Sequence, residues 1–283
     1  MYIYCQFREY SYMTMRKQGN TDILSLIHNQ GSNDHVASLR YAEMIQHALM
    51  PDPEMLKEYL NDYFVLFLPR DIVSGDFYYA FCNRQKICIA AGDCTGHGVP
   101  GALMSILGIS FLNEIMQSGL NMKPNRILNL MREKVMKALH QTGSGAETKD
   151  SIDIALCVID CVSGKLQYSG ANRPLLMVRN GELTELKPDK MTIGVAPLRE
   201  TPFTNNYIDT IPGDSFYLFS DGFADQFGEM TDKKFKHKQF KRIISSVDVL
   251  PMALQKEHLE CAFNDWKGNT QQIDDVLVFG FKL

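Results

Sequence analysis

The order of the apolar segments constrains this chain most. Short strand-like runs come first, then two helical stretches, then more short strands, two further helices and a last strand. That order does not alternate strand with helix, so it argues against a doubly wound parallel sheet. Antiparallel sheets built from hairpins and covered by helices fit it better. Strands are expected at 63–68, 76–82, 86–91, 152–159, 166–169, 175–179, 183–186, 216–220 and 276–281. Helices are expected from 34 to about 50 and at 100–118, 124–140, 235–246 and 251–266. Pro100 and Pro124 sit in first turns, where proline is favoured. Asn180-Gly181 predicts a type I′ hairpin turn.

At 283 residues the chain is long enough for one large domain with an appendage. Residues 1–33 show no sustained period and read as a flexible arm. Residues 34–58 read as a linker or regulatory helix, with 59–283 as the main domain. The apolar stripe of that helix suits two roles equally, packing on its own domain or joining a sensor or second copy as a homodimer. A net charge of -4 argues against a nucleic-acid partner held by phosphate neutralisation. Seven cysteines without a C-x-x-C pair point to free thiols, a reducing compartment and a cytoplasmic protein. No signal peptide or membrane span is expected. The most apolar helix is interrupted by Ser105, Ser110, Asn113 and Glu114 and reads as too short to cross a bilayer.

Function is signalled by carboxylates at the ends of apolar runs. Asp76 lies in DIVSGDFYY, Asp93 in ICIAAGDCTGHG, Asp221 in FYLFSDG and Asp274-Asp275 in QQIDDVLVFGF. A strand end beside a glycine turn places a short acid at the rim of a sheet, with backbone open to a ligand. Each alone is more simply a turn residue capping local backbone. Together they carry more negative charge than one sheet edge tolerates without a counter-ion. An all-oxygen acidic site suits Mg²⁺ or Mn²⁺ rather than zinc. The turn after Asp93 leaves the Cys94 carbonyl available as a further oxygen ligand, and Asp225, one turn beyond Asp221, can reach the same face. Two such ions, roughly 3.5–4 Å apart, would activate a water for in-line attack on phosphorus. The glycines after Asp93 lack the Walker Lys-[Ser/Thr], so they are no P-loop. Cys94 as a phosphatase nucleophile would want an arginine in its loop, and none follows.

Taken together, GDFYY, AAGDCTGHGVPGALMS, SGANRPLLMVRNGEL, FYLFSDGFADQ and IDDV resemble the bacterial PP2C-type serine/threonine phosphatases of the sporulation-E and stress-regulator (SpoIIE/RsbU) class, in order from residue 34 to 283. The resemblance implies an α+β fold, an α-β-β-α sandwich of two antiparallel sheets flanked by helices. It implies two Mn²⁺ or Mg²⁺ ions and a third, weaker site. Asp76 would hold one ion, Asp93 would bridge both, the Cys94 carbonyl would complete a shell, and Asp221 and Asp274 would hold the other ion. Asp225 matches the third position, and Asp153 an auxiliary acid. Asp76, Asp93 and Asp221 would be the catalytic set, directing a metal-bridging water onto phosphoserine or phosphothreonine without a phospho-enzyme. The end of the chain departs from the family's D-D-x-T, which leaves Asp274 and Asp275 both open as the ligand. The phosphate-binding arginine of the eukaryotic relatives has no clear counterpart near the first strands; Arg70 is the nearest candidate, with a structural role at the strand end favoured. His97 reads as a turn-stabilising histidine, the proton donor to the leaving alkoxide being the rival role. The implied partner is a phosphorylated anti-sigma-factor antagonist in a partner-switching pathway, and helices 100–118 and 124–140 resemble a regulatory switch pair. The alternative is a catalytically weak module of the same fold that only binds partners.

Overall fold

A computed structural model describes residues 32–82, 85–118, 123–142, 149–195 and 201–283. The flexible arm expected at 1–33 lies outside them, except for its last two positions. The chain divides into two units, 1–49 and 50–283.

The described part of the first unit is helix α1 (Ser32–Leu49), which stops just before Met50-Pro51, where a residue preceding proline disfavours helix. Asp34 in its first turn and His47 in its last suit the helix dipole. Val36, Tyr41, Met44, Ile45 and Leu49 are exposed on it.

The second unit begins with a single helical turn, α2 (Pro53–Leu56), and Met50, Leu56 and Leu60 are buried in its core. The helix expected from 34 to about 50 ends at Leu49, and the rest of the 34–58 stretch holds this separate turn. Two five-stranded antiparallel sheets follow. One has the order β1 (Asp62–Leu68), β10 (Val276–Lys282), β9 (Ser215–Phe219), β6 (Leu175–Arg179), β7 (Glu182–Leu186). The other runs β2 (Phe77–Cys82), β3 (Lys86–Cys94), β4 (Ile152–Asp160), β5 (Leu166–Ala171), β8 (Asn206–Ile208). The β6–β7 turn has φ of 52° at Asn180 and 79° at Gly181, both positive as a type I′ turn requires.

Side-chain alternation decides which sheet face meets which layer. Along β10, Leu277, Phe279 and Phe281 enter the core shared with the other sheet. Val276 and Val278 turn outward, onto a second core with Phe240, Leu259 and Phe263. That second core lies under α6 (His237–Val247) and α7 (Met252–Lys267), with the short α5 (Gly222–Asp225) adding Phe223. On the far side α3 (Gly98–Gln117) and α4 (Pro124–Ala138) bury Ile109, Leu112, Leu128 and Met131 against β2–β5. The result is an α-β-β-α sandwich, and its sheets order every strand end that carries an acid.

Two sequence expectations need correcting. Helix α3 has 20 residues, long enough to span a bilayer. One face of it is nevertheless buried in the core, which is how its apolar composition is used. Strand β8 was not expected, since three residues at a sheet edge leave no period to read.

Candidate active site

The ends of several strands meet at one edge of the sandwich. Asp93, Cys94, Thr95, Gly96 and His97 from the end of β3, Ser151 and Asp153 from the start of β4, Arg173 before β6, Asp221 after β9 and Asp274 before β10 line a cleft of about 260 Å³. Asp93 and Asp153 are register partners across β3 and β4. Like charges placed opposite each other in a sheet destabilise it unless something neutralises them.

Here a cation does so. Arg173 Nη2 lies 2.6 Å from Asp93 Oδ2, 2.8 Å from Asp221 Oδ2 and 3.8 Å from Asp153 Oδ2. Asn172 Nδ2 donates to the other oxygen of Asp153 at 2.9 Å. Even so, burial pushes the Asp93 carboxyl up to about 7; Arg173 opposes the shift, while Asp221, Asp274 and Asp153 reinforce it. Burial also raises Asp274, against the pull of the Asp275 N–H that donates to its Oδ1 at 2.9 Å.

Asp76 lies behind the cleft, 3% exposed, at the start of β2. Burial and then the Asp93 charge hold it well above the usual carboxylate range, while a hydrogen bond with Ser220 lowers it. Its Oδ2 is buried and has no hydrogen-bond partner. An orphaned acceptor of this kind costs about 1–3 kcal/mol, so it marks a place where a partner belongs.

The Asp274-Asp275 pair divides its work. Asp275 accepts the Arg70 N–H on Oδ1 and the Gly75 N–H on Oδ2, both at 2.7 Å, and so clamps the loop before Asp76. Arg70 Nη1 donates to the Ile273 carbonyl at 2.9 Å, tying the same two segments together. Asp274 is left to face the cleft. Behind the Asp93 turn, a Cβ built on Gly101 would stand 2.3 Å from the Gly96 carbonyl oxygen and 2.9 Å from Gly75 Cα. Only glycine lets the first turn of α3 sit this close to the loop.

Three other residues have distinct surroundings. Burial and the neighbouring Asp93 push the Cys94 thiol well above its ordinary value, so it is no thiolate nucleophile. Asp225 is not among the residues lining the cleft; its Oδ2 takes Lys234 Nζ at 2.8 Å. His97 pairs with Asp71 through Nδ1 at 3.0 Å at the cleft's exposed rim.

Among the described residues, no three His, Cys, Asp or Glu side chains close into a ready metal cage. Oxygens of Asp93 and Asp221 are instead held by Arg173. The donor chemistry nonetheless suits hard divalent ions, with carboxylates at the cleft and the unpartnered Asp76 oxygen behind them.

Comparison with known proteins places this geometry. The family profile for stage II sporulation protein E, SpoIIE, matches residues 83–283. The chain belongs to the SpoIIE family. It is thus one of the bacterial PP2C-type phosphatases. The SiaA-PP2C domain of Pseudomonas aeruginosa is 30% identical, with a TM-score of 0.78 over 88% of this chain and 97% of that one. The PP2C phosphatase domain of SpoIIE from Bacillus subtilis, with a fragment of its regulatory domain, shares the fold at 18% identity. There the TM-score is 0.62, over 78% of this chain and 63% of that one. The RsbU and RsbW domains of a Mycobacterium tuberculosis protein match with a TM-score of 0.60 at 21% identity, over 78% of this chain and 59% of that one. No curated protein matches in sequence.

Asp93, Asp153, Asp221 and Asp274, all within the matched residues, share one cleft, with Asp76 behind them, while Asp225 pairs with a lysine outside it. Arg173 is the residue that sequence reasoning missed. Its local signal is a cation in the turn just before an apolar strand, GANRPLL.

Proposed function

We propose that this protein is a Mn²⁺- or Mg²⁺-dependent phosphatase that hydrolyses phosphoserine and phosphothreonine in a protein substrate. One observation carries the proposal. Acids from β3, β4, β9 and the β10 turn converge on a single cleft above a buried carboxylate oxygen with no partner.

Asp76, Asp93, Asp221 and Asp274, with the Cys94 carbonyl, would hold two divalent ions, and Asp225 a weaker third once Lys234 releases it. Bound there, the ions supply the Lewis acidity that makes water a competent nucleophile at neutral pH. The chain's own contribution is position. Asp275 fixes the Gly75 loop through a backbone N–H, so Asp76 enters at a set depth. Gly101 seats α3 on the Gly96 carbonyl, which ties the loop carrying Asp93 to a helix able to shift it.

The substrate we infer is a phosphorylated anti-sigma-factor antagonist met in the cytoplasm within a partner-switching pathway. SpoIIE-family membership supports this reading, as does the likeness to the Mycobacterium tuberculosis protein with RsbU and RsbW domains. Free thiols at all the described cysteines agree with a reducing compartment. Exposed Met44 and Ile45 on α1 favour a homodimer through that helix. Light scattering would then show a dimer that Ile45→Glu dissociates.

The decisive assay is Mn²⁺-dependent hydrolysis of p-nitrophenyl phosphate and of a phosphoserine peptide by the full chain. Turnover that disappears in folded Asp93→Ala and Asp221→Asn proteins supports the proposal. Absence of turnover at saturating Mn²⁺ defeats it and favours a partner-binding module, the reading that the Arg173 contact with two metal carboxylates speaks for.

A further inference from the structure

A strongly basic segment borders the acidic cleft. Residues 233–238, Lys-Lys-Phe-Lys-His-Lys, place four lysines and a histidine together in a chain whose net charge is -4. A charge run of this kind is usually a solvated face. This one is built into the fold. The Gly228 N–H donates to the Lys233 carbonyl at 3.0 Å, the Phe235 N–H to the Gln226 carbonyl at 3.0 Å and the Lys236 N–H to the Ala224 carbonyl at 2.6 Å. The run is thus a ribbon laid against the segment that leaves Asp221. Phe235 anchors it, 3% exposed, its ring edge-on to Phe223 at 5.2 Å and to Trp266 at 5.3 Å. Lys236, at φ 74° and ψ 144°, stands in a region that glycine enters far more freely, so its surroundings hold it there.

Around the buried phenylalanine, Lys233, Lys234, Lys236, His237 and Lys238 are exposed, as is Arg242 on α6. Lys234 is held by Asp225 at 2.8 Å and the adjacent Lys241 by Glu185. Among the described residues, Lys233, Lys236, Lys238 and Arg242 make no ion pair. The ribbon's own acids, Glu229 and Asp232, lie in the turn at its far end, where Glu229 accepts Asn269 Nδ2 at 2.9 Å. The near end adjoins the cleft. Only the single turn of α5 separates it from Asp221, whose carbonyl accepts the Asp225 N–H at 2.9 Å. The His237 ring lies 6.1 Å from that of Phe219, two residues before Asp221.

An acidic pocket edged by fixed, unpaired cations suits a substrate that is negative beyond its phosphate. Lysines are flexible point charges, matched to an acidic surface rather than to one fixed carboxylate, and they draw such a surface in. At about 3.3 Å per residue, an extended chain leaving the cleft reaches the ribbon within a few residues. We propose that residues 233–238, with Arg242, form a docking rim for acidic residues that flank the phosphoserine or phosphothreonine of the substrate protein. An anionic membrane, the other surface open to such a run, would also meet the cleft acids and a chain of net charge -4. The assignment rests on the phosphatase reading above and adds a sequence preference to it.

The probes are two synthetic phosphoserine peptides, one flanked on both sides by Asp and Glu, the other by Asn and Gln. The Mn²⁺-loaded full chain should turn over the acidic peptide with a kcat/KM about tenfold above the neutral one at low salt. That gap should shrink below about threefold in roughly 0.5 M NaCl. In a triple variant, Lys233→Gln with Lys236→Gln and Lys238→Gln, the gap should close at low salt through KM rather than kcat, because these lysines touch no reacting atom. Fluorescence anisotropy gives a reading that needs no turnover. The folded variant should bind the acidic peptide roughly tenfold more weakly, with the neutral peptide as reference. A wild type without preference for acidic flanks overturns the assignment, as does a folded variant that keeps the preference. If the triple variant fails to fold, single Lys233→Gln and Lys238→Gln proteins take its place, each expected to lose about two- to threefold of the preference. Weaker retention of the triple variant on phosphatidylserine vesicles, with peptide preference unchanged, overturns it in favour of a membrane. The two readings fail separately. A chain that binds the acidic peptide through these lysines yet hydrolyses no phosphomonoester loses the phosphatase reading only. One that turns over both peptides equally loses the docking rim only.

Discussion

Strand β6 runs between two arginines with opposite fates. At its far end Arg179 donates Nε and Nη2 to both oxygens of buried Asp214, at 2.8 and 2.6 Å, and Nη2 also reaches the Asp209 carbonyl. The Ile211 N–H completes the Asp214 shell. Both Asp214 oxygens have partners there, and one positive charge meets one negative. Just before the near end, Arg173 meets Asp93, Asp221 and Asp153 through a single nitrogen, with Nε orphaned beside it. The two sites flank one strand and use one chemistry, an arginine set against aspartates. They differ in satisfaction. One end closes a single ion pair, while the other leaves an excess of acid around a half-used cation, an imbalance of the kind that binding sites carry.

The comparison breaks most visibly if the acid-rich end proves inert. Asp93→Asn should lower metal-dependent kcat/KM about a thousandfold or more, on the order of 4 kcal/mol in the barrier, while the melting temperature of the metal-free protein holds or rises. A full-activity variant would dissolve the contrast. Gly101→Ala should come next. The new methyl meets backbone that cannot move cheaply, costing about 1–3 kcal/mol of stability and shifting the Asp93 loop. Chemical denaturation reads the first effect and a weakened Mn²⁺ affinity the second. Arg179→Ala should strand Asp214 without a cation, lowering the melting temperature by several degrees with kcat per folded molecule unchanged. Lost turnover at equal folding would mean that the closed end is functional too.

A pH series sharpens the same contrast. Asp93 near 7 in the folded state lies above the roughly 3.9 of an unfolded aspartate, so the folded chain holds the extra proton between those values. Its contribution to stability is complete below about pH 4 and is lost as pH climbs through 7. Metal-free protein should therefore melt progressively lower from pH 5 to 7.5, and Asp93→Asn should flatten that slope. The smallest effect belongs to Asp225→Asn. Its partly exposed pair with Lys234 should change stability by under about 1 kcal/mol, measured by thermal melting.

Much of the site could be read from local context. Asp76, Asp93, Asp221 and Asp274 each stand where an apolar run meets a turn, and turn chemistry acts over a few residues. Boundaries failed where a distant neighbour intervened. The strand expected at 86–91 continues to Cys94, because Gly92, Asp93 and Cys94 pair with Ile154, Asp153 and Ile152 of β4. Choosing between Asp274 and Asp275 needed the Arg70 and Gly75 amides, which belong to a loop some two hundred positions earlier.

The linear order of residues thus determined the layers, the hairpins and the acids available at their ends, because period and turn preference are properties of neighbours along the chain. Tertiary structure alone decided which acid faces the cleft, which is spent on backbone amides, and that an arginine from another turn stands among them. Charge compensation acts through space, and Arg173 and Asp221 meet across 48 positions that no local pattern connects.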